Sequence, residues 1–344
     1  MIVDVHGHVS APQRLYAYKA GLLSHRGAHG RGKVTVTDDE VRAAVTEDVG
    51  EFGISHSDHL AGAGIDLQVV SPRPYQMMHS EQPSTIVEWF TEETNNMIHR
   101  CCELFPDRFV GMAGLPQSPL TDPTKWLAEM RRGITELGFV GVLLNPDPME
   151  GQGPPLPPLG DRYWYPVYEA LCELDVPALI HSAGCRPPAR ESYSLHFILE
   201  ETIAVTSLLD SEVLVDFPDL KLIVSHAGGA VPYQVGRFMA TAARNPAGES
   251  YIEKMRKLWY DTCLYTQDAL ELLFKTVGAD RCLFGSEKPG VGSVRNPENG
   301  RWFDDIRVLI EEIDWLSDDD RSAIYEGNAR SLFRLPTSEP DAVR

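Results

Sequence analysis

The chain has 344 residues, 43% hydrophobic and 24% charged, enough to bury the core of one large α/β barrel or of two smaller domains. Its formal charge of −19 argues against nucleic acid or an anionic membrane surface as the main partner, because either would repel it. Six cysteines (Cys101, Cys102, Cys172, Cys185, Cys263 and Cys282) occur without a CxxC pair, so neither a disulfide framework nor a thiolate zinc cluster is expected, and reduced, buried thiols are the default.

Met1 leads directly into an apolar strand without a basic leader, and no stretch reaches the roughly 18 apolar residues of a spanning helix. A cytoplasmic protein is expected. In chain order, apolar runs predict strands at Ile2–Val5, Asp66–Ser71, Phe109–Leu115, Val140–Leu144, Ala178–His181, Leu220–Ser225, Leu258–Asp261 and Cys282–Gly285. Helical periodicity fills the intervals at Thr85–Leu104, Pro123–Leu137, Tyr163–Glu173, Leu195–Asp210, Val231–Ala243 and Asp268–Val277. Such alternation calls for a parallel sheet covered by helices, and eight strands favour closure into a (β/α)8 barrel of the TIM type.

Residues 10–64 break the pattern, being rich in Gly, His and charge over Ser24–Lys33 and helical over Asp38–Glu47. An insertion after the first strand is expected there. The Pro- and Gly-rich Asn145–Gly160 reads as a loop on the catalytic face. Ser317-Asp318-Asp319-Asp320 is a capping start for a terminal helix, and the tail after Pro336 is expected to be disordered. No internal repeat or domain linker is visible, so residues 1–335 read as one domain.

Val5-His6-Gly7-His8 closes the first strand, where residues two apart share a face and two imidazoles can converge on one metal ion. Gly7 between them is expected to leave room for the ion and substrate. An isolated HxH is as readily a chance pair in a turn. Ile180-His181 and Ser225-His226 place further histidines at later strand ends, where barrel enzymes carry their chemistry, although a lone histidine there is more often a hydrogen-bonded structural residue. The eighth strand runs into Phe284-Gly285-Ser286-Glu287, bringing a carboxylate to the same rim unless it is a solvated loop acid. Three neutral imidazoles and a carboxylate suit zinc or a similar divalent ion with one position left for water.

With these residues goes a series of longer motifs: Ser71-Pro72-Arg73, Leu104-Phe105-Pro106-Asp107, Leu115-Pro116-Gln117-Ser118-Pro119, Leu144-Asn145-Pro146-Asp147-Pro148, Ser225-His226-Ala227-Gly228-Gly229-Ala230-Val231-Pro232-Tyr233 and Tyr325-Glu326-Gly327-Asn328-Ala329. Through them nearly the whole chain resembles the amidohydrolase-2 type (ACMSD-like) branch of the amidohydrolase superfamily. The resemblance implies a barrel with one divalent ion, zinc in the first place and manganese as in decarboxylases of the branch, held by His6, His8, His181 and Glu287. His226 then stays near the ion as a proton-transfer or substrate-orienting group, and Glu287 shares the acid–base work.

The activity implied is that of a hydratase (lyase) adding water to an unsaturated oxo-polycarboxylate of the 4-oxalomesaconate type in aromatic-acid catabolism. Alternatives on the same barrel are a non-oxidative decarboxylase of a hydroxybenzoate-like acid, a C–C or C–N hydrolase, and a metal-binding relative without turnover. Decarboxylases of the branch usually carry Asp where this chain has Glu287. A small carboxylic-acid substrate needs local cations in so acidic a protein, and Arg73 and Arg295, each after a strand end, are the candidates unless they are surface arginines. Asn145 either hydrogen-bonds the substrate or holds its own turn. Lys288-Pro289-Gly290 departs from the apolar residue expected after the Ser-Glu pair, in a loop that shapes the pocket. His25, His29, His56, His59 and His99 read as solvated or structural, His79 lies close enough to the second strand to reach the pocket, and His196 is undecided between the two. The sequence leaves open a homo-oligomer.

Overall fold

A computed structural model describes residues 1–48, 53–186, 192–244 and 248–336; the tail expected to be disordered lies, beyond Pro336, outside the described residues. The strands are β1 (Val3–His8), β2 (Leu67–Ser71), β3 (Phe109–Gly111), β4 (Ala113–Gly114), β5 (Val142–Leu144), β6 (Ala178–Ile180), β7 (Leu222–Val224), β8 (Trp259–Asp261) and β9 (Cys282–Leu283). All pair in parallel, in the orders β1-β2-β3 and β4-β5-β6-β7-β8-β9.

β3 and β4 are halves of one predicted strand. Met112 N donates to Val70 O (2.9 Å) while Ala113 N donates to Gly141 O (2.9 Å), so the chain changes partner at Met112 without leaving the wall. The opposite seam is closed by Val5 N to Phe284 O (2.8 Å) and Glu287 N to His6 O (2.8 Å). Eight staves therefore form a closed barrel, as the alternation predicts. β1 continues past its apolar run to His8, β2, β5 and β8 begin later than theirs, and β6 and β9 end before the residues that reach the mouth.

Alternation along the strands divides the core in two. Val70, Val142, Leu144, Ile180 and Val224 pack outward with the helices. Val69, Leu143, Leu179, Ile223 and Leu283 form a separate cluster with Val3 and Val5 and with Leu332 and Phe333 of the last helix, Asn328–Phe333. That helix plugs the end of the barrel opposite the histidines.

Within residues 10–64, the described residues form three helices: Gln13–His25, Asp38–Thr46 and His56–Ala63. Only the middle one is evident from sequence, where Thr37 and Glu40 form a capping box. The first starts at Pro12 with no side-chain cap and buries only Leu15 and Leu22, so its periodicity is faint. No described helix is long and apolar enough to cross a membrane. None of the six cysteines is in a disulfide, and Cys101, Cys263 and Cys282 are buried.

One irregularity in β1 decides the site. Val3 and Val5 face the inner cluster, and strict alternation would send His6 and His8 to the other side. Between Asp4 and Gly7 the register shifts, three residues of β1 passing opposite two of β2 (Asp4↔Gln68, then Gly7↔Val70). Such a bulge re-aims the side chains that follow, and both imidazoles end inside the barrel mouth. Gly7 serves this approach rather than leaving room for ion and substrate: a Cβ there would lie 2.2 Å from Gln68 Cδ. Gln68 is itself held, donating from Nε2 to Asp4 Oδ2 (2.9 Å) and Lys288 O (2.7 Å) and accepting at Oε1 from His56 Nε2 (2.8 Å). Gly7→Ala is accordingly expected to lower the unfolding free energy by about 1–3 kcal/mol in urea denaturation; an unchanged midpoint and slope would show that Gln68 yields freely.

Candidate active site

Each candidate stands at the C-terminal end of a strand. His6 and His8 end β1, His181 follows β6, His226 lies in the turn Ser225–Gly228 after β7, and Glu287 comes four residues beyond Leu283 of β9. Ligand atoms of His6, His181, His226 and Glu287 all lie within 4.8 Å of one another. His8 joins from the side, its Nε2 3.8 Å from Glu287 Oε1 and its ring 5.2 Å from those of His6 and His181.

The second nitrogen of each ring shows which way the first must face. His6 Nδ1 donates to Asp261 Oδ2 (2.6 Å), and His181 Nδ1 donates to Ser182 O (2.7 Å). Ser71 Oγ gives its proton to the carbonyl of Gly7 or Pro72 (3.2 Å each) and so accepts from His8 Nδ1 (2.9 Å). In all three rings Nε2 is left with its lone pair, buried and without a hydrogen-bond partner. Burial lowers His8 to about 4 and, with its imidazole neighbours, holds His181 well below its ordinary value. Buried imidazoles whose Nε2 atoms are left bare beside a carboxylate are what a divalent cation requires.

His226 differs from the other three. Its Nδ1 donates to Glu201 Oε2 (2.8 Å) and its Nε2 lies 3.7 Å from Glu287 Oε2. Burial opposes its charged form, but the two carboxylates outweigh that and raise its pKa well above the ordinary value. Burial likewise opposes the charge on Glu287, yet His226 and His8 hold its carboxyl well below the usual range. Both residues occupy left-handed backbone, with φ of 48° at His226 and 58° at Glu287, at a cost of order 1–3 kcal/mol each. Asp261 secures the first turn by accepting Ala227 N (3.0 Å) at Oδ1 while holding His6 with Oδ2. Asp4 secures the second, accepting Ser286 Oγ (2.6 Å) and Ser286 N (3.1 Å).

A cavity of about 270 Å³ opens above this cluster, lined by His8, Arg73, Tyr75, His181, Tyr193 and Glu287 among others. Arg73 thus lies where a carboxylate could be gripped. Arg295 does not line this cavity: it is exposed, donates to Gly300 O (2.8 Å) and stacks 4.5 Å from the Trp302 ring centroid, because its loop forms a small hairpin in which Arg295 pairs with Trp302. Asn145 is buried beneath the site, its Oδ1 accepting Asp147 N (3.0 Å) and its Nδ2 donating to Asp147 O (3.1 Å) and His79 Nδ1 (2.9 Å). It holds its own turn and does not line the cavity. His79 completes that link with Nε2–H to Leu115 O (3.2 Å), while His196 is buried 3.9 Å from Asp147 Oδ2. Of the histidines read as solvated or structural, His56 and His59 are buried.

Three participants escape a reading of the sequence. Asp261 ends a predicted strand and carries a signal of its own, a carboxylate at a barrel rim. Glu201, in the helix Tyr193–Leu209, carries none. Tyr265 OH donates to Glu287 Oε2 (3.2 Å), and burial pushes its phenol well above the ordinary value, keeping the proton in place.

A family model described as amidohydrolase matches residues 3–335. Over 347 aligned residues the chain is 38% identical to a 2-keto-4-carboxy-3-hexenedioate hydratase from Sphingobium sp., covering 97% of this chain and 96% of that one. Among solved structures it is similar to 4-oxalomesaconate hydratase, LigJ, from Rhodopseudomonas palustris, with a TM-score of 0.85, 33% identity and coverage of 97% and 96%. A dihydroxybenzoic acid decarboxylase from Polaromonas sp., solved with bound manganese and the inhibitor 2-nitroresorcinol, shares the fold at a TM-score of 0.72 and 23% identity, covering 99% of each chain.

Burial brings His79 down to about 3, and its protonation would set Nδ1–H against the Asn145 amide donor. In the unfolded chain it titrates near 6.5, so below that pH unfolding takes up a proton and stability falls until about pH 3. The unfolding free energy of His79→Asn is expected to depend less steeply on pH than that of the parent, by about 1.4 kcal/mol per unit between pH 5.5 and 4; parallel profiles would contradict a neutral His79. Strand-end histidines on a closed parallel barrel, the run of shared motifs and the match over residues 3–335 lead to one conclusion, that this chain belongs to the amidohydrolase family.

Proposed function

We propose that the protein is a metal-dependent hydratase that adds water across the carbon–carbon double bond of an unsaturated oxo-polycarboxylate of the 4-oxalomesaconate type, in the catabolism of aromatic acids. The observation that carries this reading is the place of Glu287, between His8 and His226 at the floor of a cavity that also exposes Arg73. Similarity along nearly the full length to two hydratases supports it. The match over residues 3–335 favours one catalytic barrel domain with residues 10–64 inserted after β1.

His6, His8 and His181, through their bare Nε2 atoms, and Glu287 through a carboxylate oxygen would hold one divalent ion. Zinc is the expected metal for such a set, with manganese the alternative. The chemistry that the ion supplies when bound is acidification of water and polarisation of a substrate oxygen. Arg73 grips a substrate carboxylate, its fork matching the two oxygens. Glu287, kept ionised by its imidazole neighbours, accepts the proton that water loses as the new C–O bond forms. The electron pair of the alkene moves into the conjugated oxo group, and the carbon next to that group regains a proton from Glu287 or His226. Glu201 holds His226 by Nδ1, which keeps the Nε2 edge turned toward Glu287.

Glu287→Gln is expected to lower kcat for hydration about 10²- to 10⁴-fold, read by loss of the conjugated oxo-acid absorbance in zinc-loaded protein and by identification of the product. An unaltered rate would remove Glu287 from the chemistry. Evolution of carbon dioxide with no hydrated product would make the enzyme a decarboxylase.

A further inference from the structure

The loop after Glu287 leads back, through its own packing, to the Glu287 carboxylate. Lys288 does not face the substrate. Its side chain is buried, and Nζ donates to Asp304 and, at 3.3 Å, to Asp305. Asp304 also accepts from Ser293 Oγ, and its backbone N donates to Gly292 O (3.2 Å). Both ends of the 288–304 loop are thereby tied together under the rim.

This closure presses Gly292 onto Tyr265. A Cβ at Gly292 would lie 2.7 Å from Tyr265 Cζ and 2.8 Å from Asp304 Cβ, so only glycine lets the loop lie flat against the ring. The other side of the phenol meets Cys263, whose Sγ is 3.6 Å from the hydroxyl. Confined in this way, Tyr265 reaches Glu287 Oε2 at 3.2 Å, the oxygen that also faces His226 at 3.7 Å, and leaves Oε1 toward His8 at 3.8 Å.

We infer that Tyr265 is a positioning residue for Glu287, held in place by Gly292 and the Lys288–Asp304 closure, and that it fixes which carboxylate oxygen faces His226 and which is turned toward the histidine cluster. The inference rests on the assignment of Glu287 to the working centre made above. It also gives Lys288 a role, its ammonium holding the loop shut rather than binding the acid.

The test is a double-mutant cycle on the full chain with Tyr265→Phe, Glu287→Ala and the double variant, reading zinc affinity by chelator competition and kcat and KM on the unsaturated oxo-acid. Tyr265→Phe keeps the ring packed on Gly292 and removes only the hydroxyl. It is expected to weaken zinc binding or lower kcat about tenfold, as loss of a hydrogen-bond partner to a metal ligand does, with KM within about twofold. In the Glu287→Ala background the same change is expected to have less than about a twofold effect. Unchanged affinity and kcat in Tyr265→Phe, or an equal loss in both backgrounds, overturns the inference. Should Tyr265→Phe not fold, Gly292→Ala, whose new methyl displaces the ring, is expected to weaken zinc binding in the same direction, and unchanged affinity there overturns it. The zinc readout needs no substrate, so coupled affinities without turnover of the oxo-acid would sink the hydration reading and leave the positioning role standing.

Discussion

Three imidazole nitrogens, Nε2 of His6, His8 and His181, are buried against one another with no hydrogen-bond partner. A buried polar atom left unsatisfied costs about 1–3 kcal/mol, and three at one point would be a poor use of a barrel mouth unless something else completed them. Everything around them prevents relief by rotation. Each ring is committed through Nδ1 to Asp261, Ser71 or the Ser182 carbonyl, so turning away would break a short, buried hydrogen bond. A divalent cation is the partner that three lone pairs and one adjoining carboxylate accept together.

The backbone bears costs for the same arrangement. β1 carries a one-residue bulge, and His226, Ala227 and Glu287 sit in left-handed conformations. What keeps these features in place is a layer of buried polar residues just behind the cluster. Asp4 and Gln68 join β1 and β2 to the Ser286–Lys288 turn, and Asp261 joins β8 to His6 of β1 and to the turn of Ala227. Strain held in place by its surroundings is a common mark of function, and two of these left-handed residues, His226 and Glu287, are those proposed to move protons.

Much of this is legible in the sequence, and the limits of legibility have physical causes. Apolar runs locate all eight staves, because strands buried on both faces read as continuous hydrophobic stretches. The histidines at strand ends are visible because position on a barrel carries meaning that residue type alone lacks. The β1 bulge is not visible: HxH suggests simple alternation, whereas Val3 and Val5 already occupy the inner face. Gly7 reads as space for an ion but is there for Gln68, a contact 61 residues away that no local pattern encodes. Arg295 follows the eighth strand closely enough to suggest the rim, yet the loop between them folds back on Asp304 and carries it outward. Glu201 lies in a helix and Tyr265 in the loop after β8, and only the closed barrel brings them to His226 and Glu287.

The central claim is that the bare imidazole nitrogens of this cluster take one divalent ion. X-ray absorption spectroscopy of the zinc-loaded protein tests it most directly. A first shell of nitrogen and oxygen only, with imidazole scattering at about 2.0–2.1 Å and one ion per chain, is the predicted result. A sulfur shell near 2.3 Å, or a metal environment that survives replacement of both His6 and His181 by alanine, would contradict it.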